Sequence, residues 1–194
     1  EDKNYVLRSK PLGNLLRGAH RIDREYKVMS ALSNSKIPTP KMYGYCSDRD
    51  IIGSEFYVME FINGAHEFDP DLPNYTSEQR DKIYKHKIKI LAELVKLDLK
   101  KIGLENFGKP YGYLERQIKL WIKQYRDSET KNIKSMEYLI DNIPKYIPTE
   151  IDNLKRCLLH GDFRLDNMIL EKNKSISKIN GLLDWELSTL SPPF

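Results

Sequence analysis

A chain of 194 residues, 40% hydrophobic and 31% charged, is long enough for one domain or one two-lobed unit with a proper core. Its 32 Lys and Arg against 28 Asp and Glu leave a net charge of only +4, which excludes a nucleic-acid stripe or a polybasic membrane anchor. No apolar run approaches the roughly 20 residues of a spanning helix. With two cysteines, Cys46 and Cys157, a disulfide framework is excluded and a reducing, intracellular compartment is expected. No targeting segment is visible, although the chain opens at Glu1 and not at a methionine.

Residues 4–8 carry the apolar and aromatic side chains of a short strand, and residues 11–14 (PLGN) read as a turn. Between residues 19 and 32, Ile22, Tyr26, Met29 and Leu32 recur at helical spacing, and Asn34 is the expected stop because Asn tolerates the left-handed conformation. Pro38 and Pro40 force an extended segment. Residues 41–46 and 55–62 read as two strands, the second apolar enough for burial on both faces. From Asn63-Gly64 a loop rich in Asp and Pro follows, and Thr76 with Gln79 resembles a capping box opening a long helix. Ile83, Ile90, Leu91, Leu94 and Leu97 are its expected inner face, with lysines on a solvated outer one. A second helix over 114–126 turns Leu114, Ile118, Trp121, Ile122 and Tyr125 inward. A third over 133–143 ends at Pro144. Short strands follow at 157–159, 168–170 and 179–183. His20, His66 and His86 show no zinc-ligand spacing and are expected on the surface, and Cys157 in its apolar run is expected to be inert core.

The densest cluster of reactive side chains is His160-Gly161-Asp162-Phe163-Arg164-Leu165-Asp166-Asn167, between two apolar runs; Asp184-Trp185-Glu186 closes the next strand. Asp, four residues, Asn and then a strand-end Asp suit phosphoryl transfer. One carboxylate takes the proton of the attacking hydroxyl, while an amide oxygen and a second carboxylate hold Mg²⁺ against the nucleotide phosphates. Loop capping would explain a lone Asp-x₄-Asn. The preceding His-Gly and the following Asp-x-Glu favour chemistry. Arg164 could meet a phosphate or an acidic substrate, or equally pair with Asp166.

These motifs resemble those of the aminoglycoside phosphotransferase and choline-kinase superfamily. More closely, residues 5–8, 23–26, 56–60, 160–167 and 184–190 resemble the kinase-like domain associated with acyl-CoA dehydrogenases in larger proteins. The likeness runs from about residue 4 to residue 190. It implies an α+β, protein-kinase-like two-lobed fold: an incomplete, sheet-rich N-lobe over residues 1–62 and a truncated helical C-lobe over 63–194. The catalytic loop would lie at 160–167 and the metal-binding segment at 184–186. It further implies ATP and Mg²⁺ as cofactors, Asp162 as base, Asn167 and Asp184 as metal ligands with Glu186 assisting, and Arg8, fixed by Glu25, on the α/β-phosphates. Arg in place of the commoner Lys keeps a bidentate phosphate grip but is not a neutral exchange. Glu60, Phe61 and Ile62 would form the hinge that pairs with adenine.

No Gly-rich phosphate loop precedes the Arg8 strand, and Ser191-Pro192-Pro193-Phe194 stands where relatives continue into further helices. A longer native protein is therefore expected, with an acyl-CoA dehydrogenase domain in the same polypeptide as an implied partner. The function implied is transfer of the ATP γ-phosphate to a small-molecule hydroxyl, a hydroxyacyl-CoA being more attractive than an aminoglycoside. The alternative is a catalytically inactive kinase-fold module of a larger enzyme. A protein kinase is disfavoured, because His-Gly-Asp replaces His-Arg-Asp and Asp-Trp-Glu replaces Asp-Phe-Gly.

Overall fold

The computed structural model describes residues 3–11, 21–109, 111–148, 150–174 and 176–193. Most of the 11–14 turn and the start of the first predicted helix, His20 included, lie outside them. The chain runs β1 (Tyr5–Ser9), α1 (Ile22–Leu32), β2 (Met42–Cys46), β3 (Phe56–Glu60), β4 (Ala65–His66), α2 (Ser77–Lys96), α3 (Tyr113–Ser128) and α4 (Lys134–Asn142). Then follow β5 (Cys157–Leu159), β6 (Met168–Leu170), β7 (Ile179–Leu182) and β8 (Thr189–Ser191). This is the mixed helix-and-strand, kinase-like architecture expected.

Strands β1, β3 and β2 form an antiparallel sheet in that order, with Arg8 opposite Tyr57. Side chains alternate along β1, so Val6 and Arg8 turn inward while Tyr5 and Leu7 face out. Strand β3 alternates too: Tyr57 and Met59 are buried and Phe56 and Val58 only half-buried. The expectation of burial on both faces is therefore corrected, since α1 covers only one face of this sheet. Helix α1 buries Ile22, Glu25, Val28, Met29 and Leu32. It does not end on a left-handed Asn34. Ser33 stays right-handed at φ −53°, its N–H bonded to the Ser30 carbonyl, and the chain then extends into Pro38.

Helix α2 opens on Thr76 as expected. The Thr76 Oγ1 accepts the Gln79 N–H at 3.3 Å, and Gln79 Oε1 accepts the Thr76 N–H at 2.8 Å. Thr76→Ala should therefore lower unfolding free energy by about 1 kcal/mol in urea melts. Thr76→Ser should cost nearly nothing. On its inner face Ile83, Ile90 and Leu94 are buried, but Leu91 is exposed, because it falls to one side of the stripe that meets β5 and β7.

Helices α3 and α4 bury none of their residues fully. Trp121, expected inside, is 64% exposed. The helix is amphipathic, but part of its apolar face lines an open groove, where Ile118, Ile122 and Tyr125 face Met136 and Leu139 of α4 and Ile143 beyond it. Pro144 does not stop α4 bluntly; it sits in a 3₁₀ turn over Ile143–Tyr146. Two strands went unread: β4 lies in the expected loop and pairs with β6, and β8 pairs with β5.

One core joins the sheet and helical parts. Val28 and Met29 of α1, Tyr57 of β3, Ile83 of α2 and Met168, Leu182 and Trp185 beyond them belong to a single buried cluster. The Leu182 N–H also bonds the Pro38 carbonyl at 2.7 Å, fastening β7 to the segment before β2. Both cysteines are free, Cys157 buried as expected. No helix is long and apolar enough to cross a membrane, among the described residues.

Candidate functional site

The loop between β5 and β6 is held from inside by His160, only 3% exposed. Its Nδ1 faces the Asp162 N–H at 3.3 Å and its Nε2 faces the Leu183 carbonyl at 2.8 Å. Nδ1 must accept from that N–H, so the proton sits on Nε2 and is donated to Leu183. One imidazole thus ties the backbone of Asp162 to the residue preceding Asp184. Trp185 packs on it with ring centroids 4.5 Å apart. Gly161 is required beside it. Its φ is +90°, and a Cβ there would lie 2.5 Å from the Leu187 carbonyl oxygen.

Asn167 stands at the other end of the loop. Its Nδ2 donates to the Asp162 carbonyl at 2.9 Å and to Asp162 Oδ2 at 3.0 Å, which leaves its Oδ1 unused by those bonds. The Asn167 carbonyl accepts the Leu183 N–H at 2.9 Å. Asp162 Oδ1 faces Arg164 Nε at 3.2 Å, and Arg164 also pairs with Asp166. Arg164 thus pairs with carboxylates of its own loop, one of the two uses weighed for it.

Asp184 follows β7 with φ +63°, a left-handed conformation that costs a non-glycine residue about 1–2 kcal/mol. Arg8 arrives from β1. Its Nε lies 2.9 Å from Glu25 Oε2, and its Nη2 lies 3.3 Å from Asp184 Oδ1 and 3.8 Å from Glu186 Oε2. Glu25 is 1% exposed. Burial drives its carboxyl upward, against the pull of Arg8. Burial works to lower the Arg8 guanidinium, but Glu25, Tyr57, Asp184 and Glu186 together raise it.

The structure therefore brings Arg8, Glu25, Asp184 and Glu186 into one ion-pair cluster, and Asp162 and Asn167 into direct contact. The three hinge candidates stand apart from it. Glu60 Oε2 accepts the Lys41 N–H at 3.0 Å and Phe61 is exposed. Ile62 Cδ1 lies against Gly181, 2.8 Å from where a Cβ would stand.

Several participants escaped the sequence reading. Arg24, beside Glu25, donates to the Phe107 carbonyl at 3.1 Å and the Ser188 carbonyl at 3.3 Å, with its guanidinium 3.9 Å above the Phe107 ring. It ties α1 to the segment after Glu186, and nothing in local spacing marks it. His86 is not a surface residue as expected. It is half-buried and its Nδ1 accepts the Ile179 N–H at 3.0 Å.

Burial lowers the pKa of both His160 and His86. Their neutral forms are favoured when folded, so the unfolded chain binds more protons. Their contribution is complete above the ordinary histidine value of 6.5 and is lost as pH falls below it. Glu25, pushed up by burial, acts in the opposite sense. Melting midpoints taken at about pH 7.5 and 5.5 should therefore fall more for the wild type than for His86→Asn, whose amide oxygen keeps an acceptor without titrating.

The set Asn167, Asp184 and Glu186 offers hard oxygen donors of the kind Mg²⁺ takes. Arg8 lying against both carboxylates shows that they are disposed to hold positive charge. No cluster of three acidic, His or Cys ligands forms among the described residues; the proposed donor set counts an amide as its third member.

A family model described as "Phosphotransferase enzyme family" matches residues 1–194. The chain is 42% identical over 193 residues to acyl-CoA dehydrogenase family member 10 of Mus musculus, covering 100% of this chain and 18% of that protein. It is 41% identical over 191 residues to acyl-CoA dehydrogenase family member 11 of Homo sapiens, covering 98% of this chain and 24% of that one. The chain thus spans about a quarter or less of these relatives' length. A crystal structure from Ralstonia eutropha, provisionally named an aminoglycoside phosphotransferase, superposes with TM-score 0.86 at 42% identity, over 97% of this chain and 54% of that one. The streptomycin–ATP complex of APH(2″)-IIa superposes with TM-score 0.66 at 18% identity, over 96% and 61% of the two chains, a likeness of fold alone.

Proposed function

The chain belongs to the phosphotransferase enzyme family, and from that premise we propose that it transfers the γ-phosphate of ATP to the hydroxyl of a small molecule. The observation that carries this reading is the convergence of Arg8, braced by Glu25, on Asp184, with Asn167 bonded to Asp162 across the loop.

Asp162 is the base. Held by Asn167 and Arg164, it orients the acceptor hydroxyl and takes its proton as the oxygen attacks the γ-phosphorus. The bond to the β-phosphate oxygen breaks and ADP leaves. Arg8 grips the α/β-phosphates through its planar fork, and Glu25 fixes that fork while its own charge is offset. Asn167, Asp184 and Glu186 would hold Mg²⁺, which when bound would supply positive charge against the nucleotide phosphates. His160 keeps the Asp162 backbone in register with the end of β7. Residues 60–62 form the hinge on which adenine pairs, with lobes over 1–62 and 63–194. The relatives named as acyl-CoA dehydrogenases support a hydroxyacyl-CoA as acceptor and a dehydrogenase domain in the same polypeptide.

Calorimetric titration of Mg²⁺-ATP into the full-length protein, followed by assay of ADP release with hydroxyacyl-CoA acceptors, tests the reading. Magnesium-dependent binding with acceptor-dependent ADP release is expected. Binding with no turnover on any hydroxyl acceptor would replace it with the inactive kinase-fold module.

A further inference from the structure

A cavity of about 730 Å³ opens beside Gly161, the residue before Asp162, between α1, α3 and the segment at 107–109. Its lining includes Arg24, Lys109 and Arg116 and, among the described residues, no Asp or Glu. Phe107 and Trp121 supply apolar wall. Arg24 and Arg116 bond backbone carbonyls, those of Phe107 and Ser188 for Arg24 and that of Tyr111 for Arg116. Asp23, next to Arg24, is clamped by Arg21 through bonds of 2.8 and 2.7 Å. Burial and Arg21 weaken the hold of Arg24 on its proton, with Asp23 pulling the other way.

A cleft whose described lining carries three cations and no carboxylate repels a polycation such as an aminoglycoside and attracts an anion, and its low-dielectric walls sharpen the effect. The aromatic and aliphatic wall suits the carbon chain between an anionic group and a hydroxyl. We infer that this cleft is the acceptor site of the proposed phosphotransfer, and that Arg116 and Lys109 make it specific for hydroxylated organic anions. Arg24 lines the same cleft while tying α1 to Ser188, so an acceptor seated there touches the element that carries Glu25. The inference rests on the phosphotransfer reading for the word acceptor, but its charge preference can be measured without turnover.

Three probes of equal length separate the charges: omega-hydroxyhexanoate, hexanediol and aminohexanol. Calorimetry on the full-length protein should give an order of anion, then neutral diol, then cation, with roughly tenfold or more between the extremes. Lys109→Glu, at an exposed position that threatens no folding, should shrink that ratio, and adding Arg116→Glu should invert it. A purely structural role for these residues would weaken all three probes alike and leave the ratio intact. Equal binding of the three, binding of none, preference for the amino alcohol, or a preference untouched by both reversals would each overturn the inference. Turnover with Mg²⁺-ATP is the separate arm. Anion binding that the reversals abolish, with no phosphate transferred to any probe or hydroxyacyl-CoA, would overturn the phosphotransfer reading and leave the cleft an anion site. Phosphorylation of the diol or amino alcohol as readily as the anion would do the reverse.

Discussion

Asp162→Asn should reduce kcat by about 10²–10⁴-fold while leaving Mg²⁺-ATP affinity within a few-fold of wild type. The amide keeps the shape of the carboxylate, and its oxygen can still accept from Asn167 Nδ2, which now sits 3.0 Å from Asp162 Oδ2. Arg164 keeps its second partner, Asp166. The loop backbone does not depend on the substituted group, because His160 Nδ1 accepts the Asp162 N–H and Asn167 Nδ2 also holds the Asp162 carbonyl. What is lost, on the proposed function, is the carboxylate that takes the hydroxyl proton. ADP release under saturating nucleotide and acceptor measures the loss, and calorimetry measures nucleotide binding. Turnover undiminished in Asp162→Asn would remove Asp162 as base, and function undisturbed in a protein that still binds nucleotide would favour the binding module.

The candidate loop stood out because its reactive residues are contiguous: His160 to Asn167 occupy eight successive positions, and Asp184 follows one strand later. Arg8 and Glu25 carry no such local mark. Their ion pair at 2.9 Å is closed by tertiary structure, with α1 packed on β2 and β3 of the sheet that carries β1, so they could be named only through resemblance. Helix α2 declared itself at both levels, since Thr76 and Gln79 form their reciprocal bonds within four residues. Strands β4 and β8 did not, because two or three residues give no period and their partners lie far along the chain. Trp121 shows a different limit. Spacing reveals that a helix has an apolar face, but what covers that face is decided by tertiary packing, and here part of it lines an open groove shared with α4 and Ile143. Arg24 and His86 bond backbone carbonyls and an N–H contributed by distant segments, a use of charge and imidazole that composition cannot foretell.

Trp185→Ala should cost about 3–5 kcal/mol in unfolding free energy, a large share of the roughly 5–15 kcal/mol typical of a domain. The indole is fully buried, so truncation leaves a cavity bounded by backbone on several sides. Its Nε1 donates to the Leu182 carbonyl at 3.0 Å, and loss of the donor leaves that acceptor unpaired. The Trp185 carbonyl in turn accepts from both the N–H and the hydroxyl of Ser188, which sets the chain toward β8. Trp185→Phe should be milder, about 1–3 kcal/mol, since it keeps much of the ring and forfeits the N–H. The two variants also separate stability from chemistry. The indole is the wall against which His160 packs, and it lies between Asp184, held at positive φ, and Glu186. Trp185→Phe should therefore lower kcat under conditions where it remains folded, because His160 no longer fixes Asp162 against the end of β7. Urea melts read the first effect and turnover at saturating nucleotide the second. A Trp185→Ala cost below about 1 kcal/mol would show that the core reorganises around the loss. Full activity in folded Trp185→Phe would show that the loop keeps its geometry without that wall.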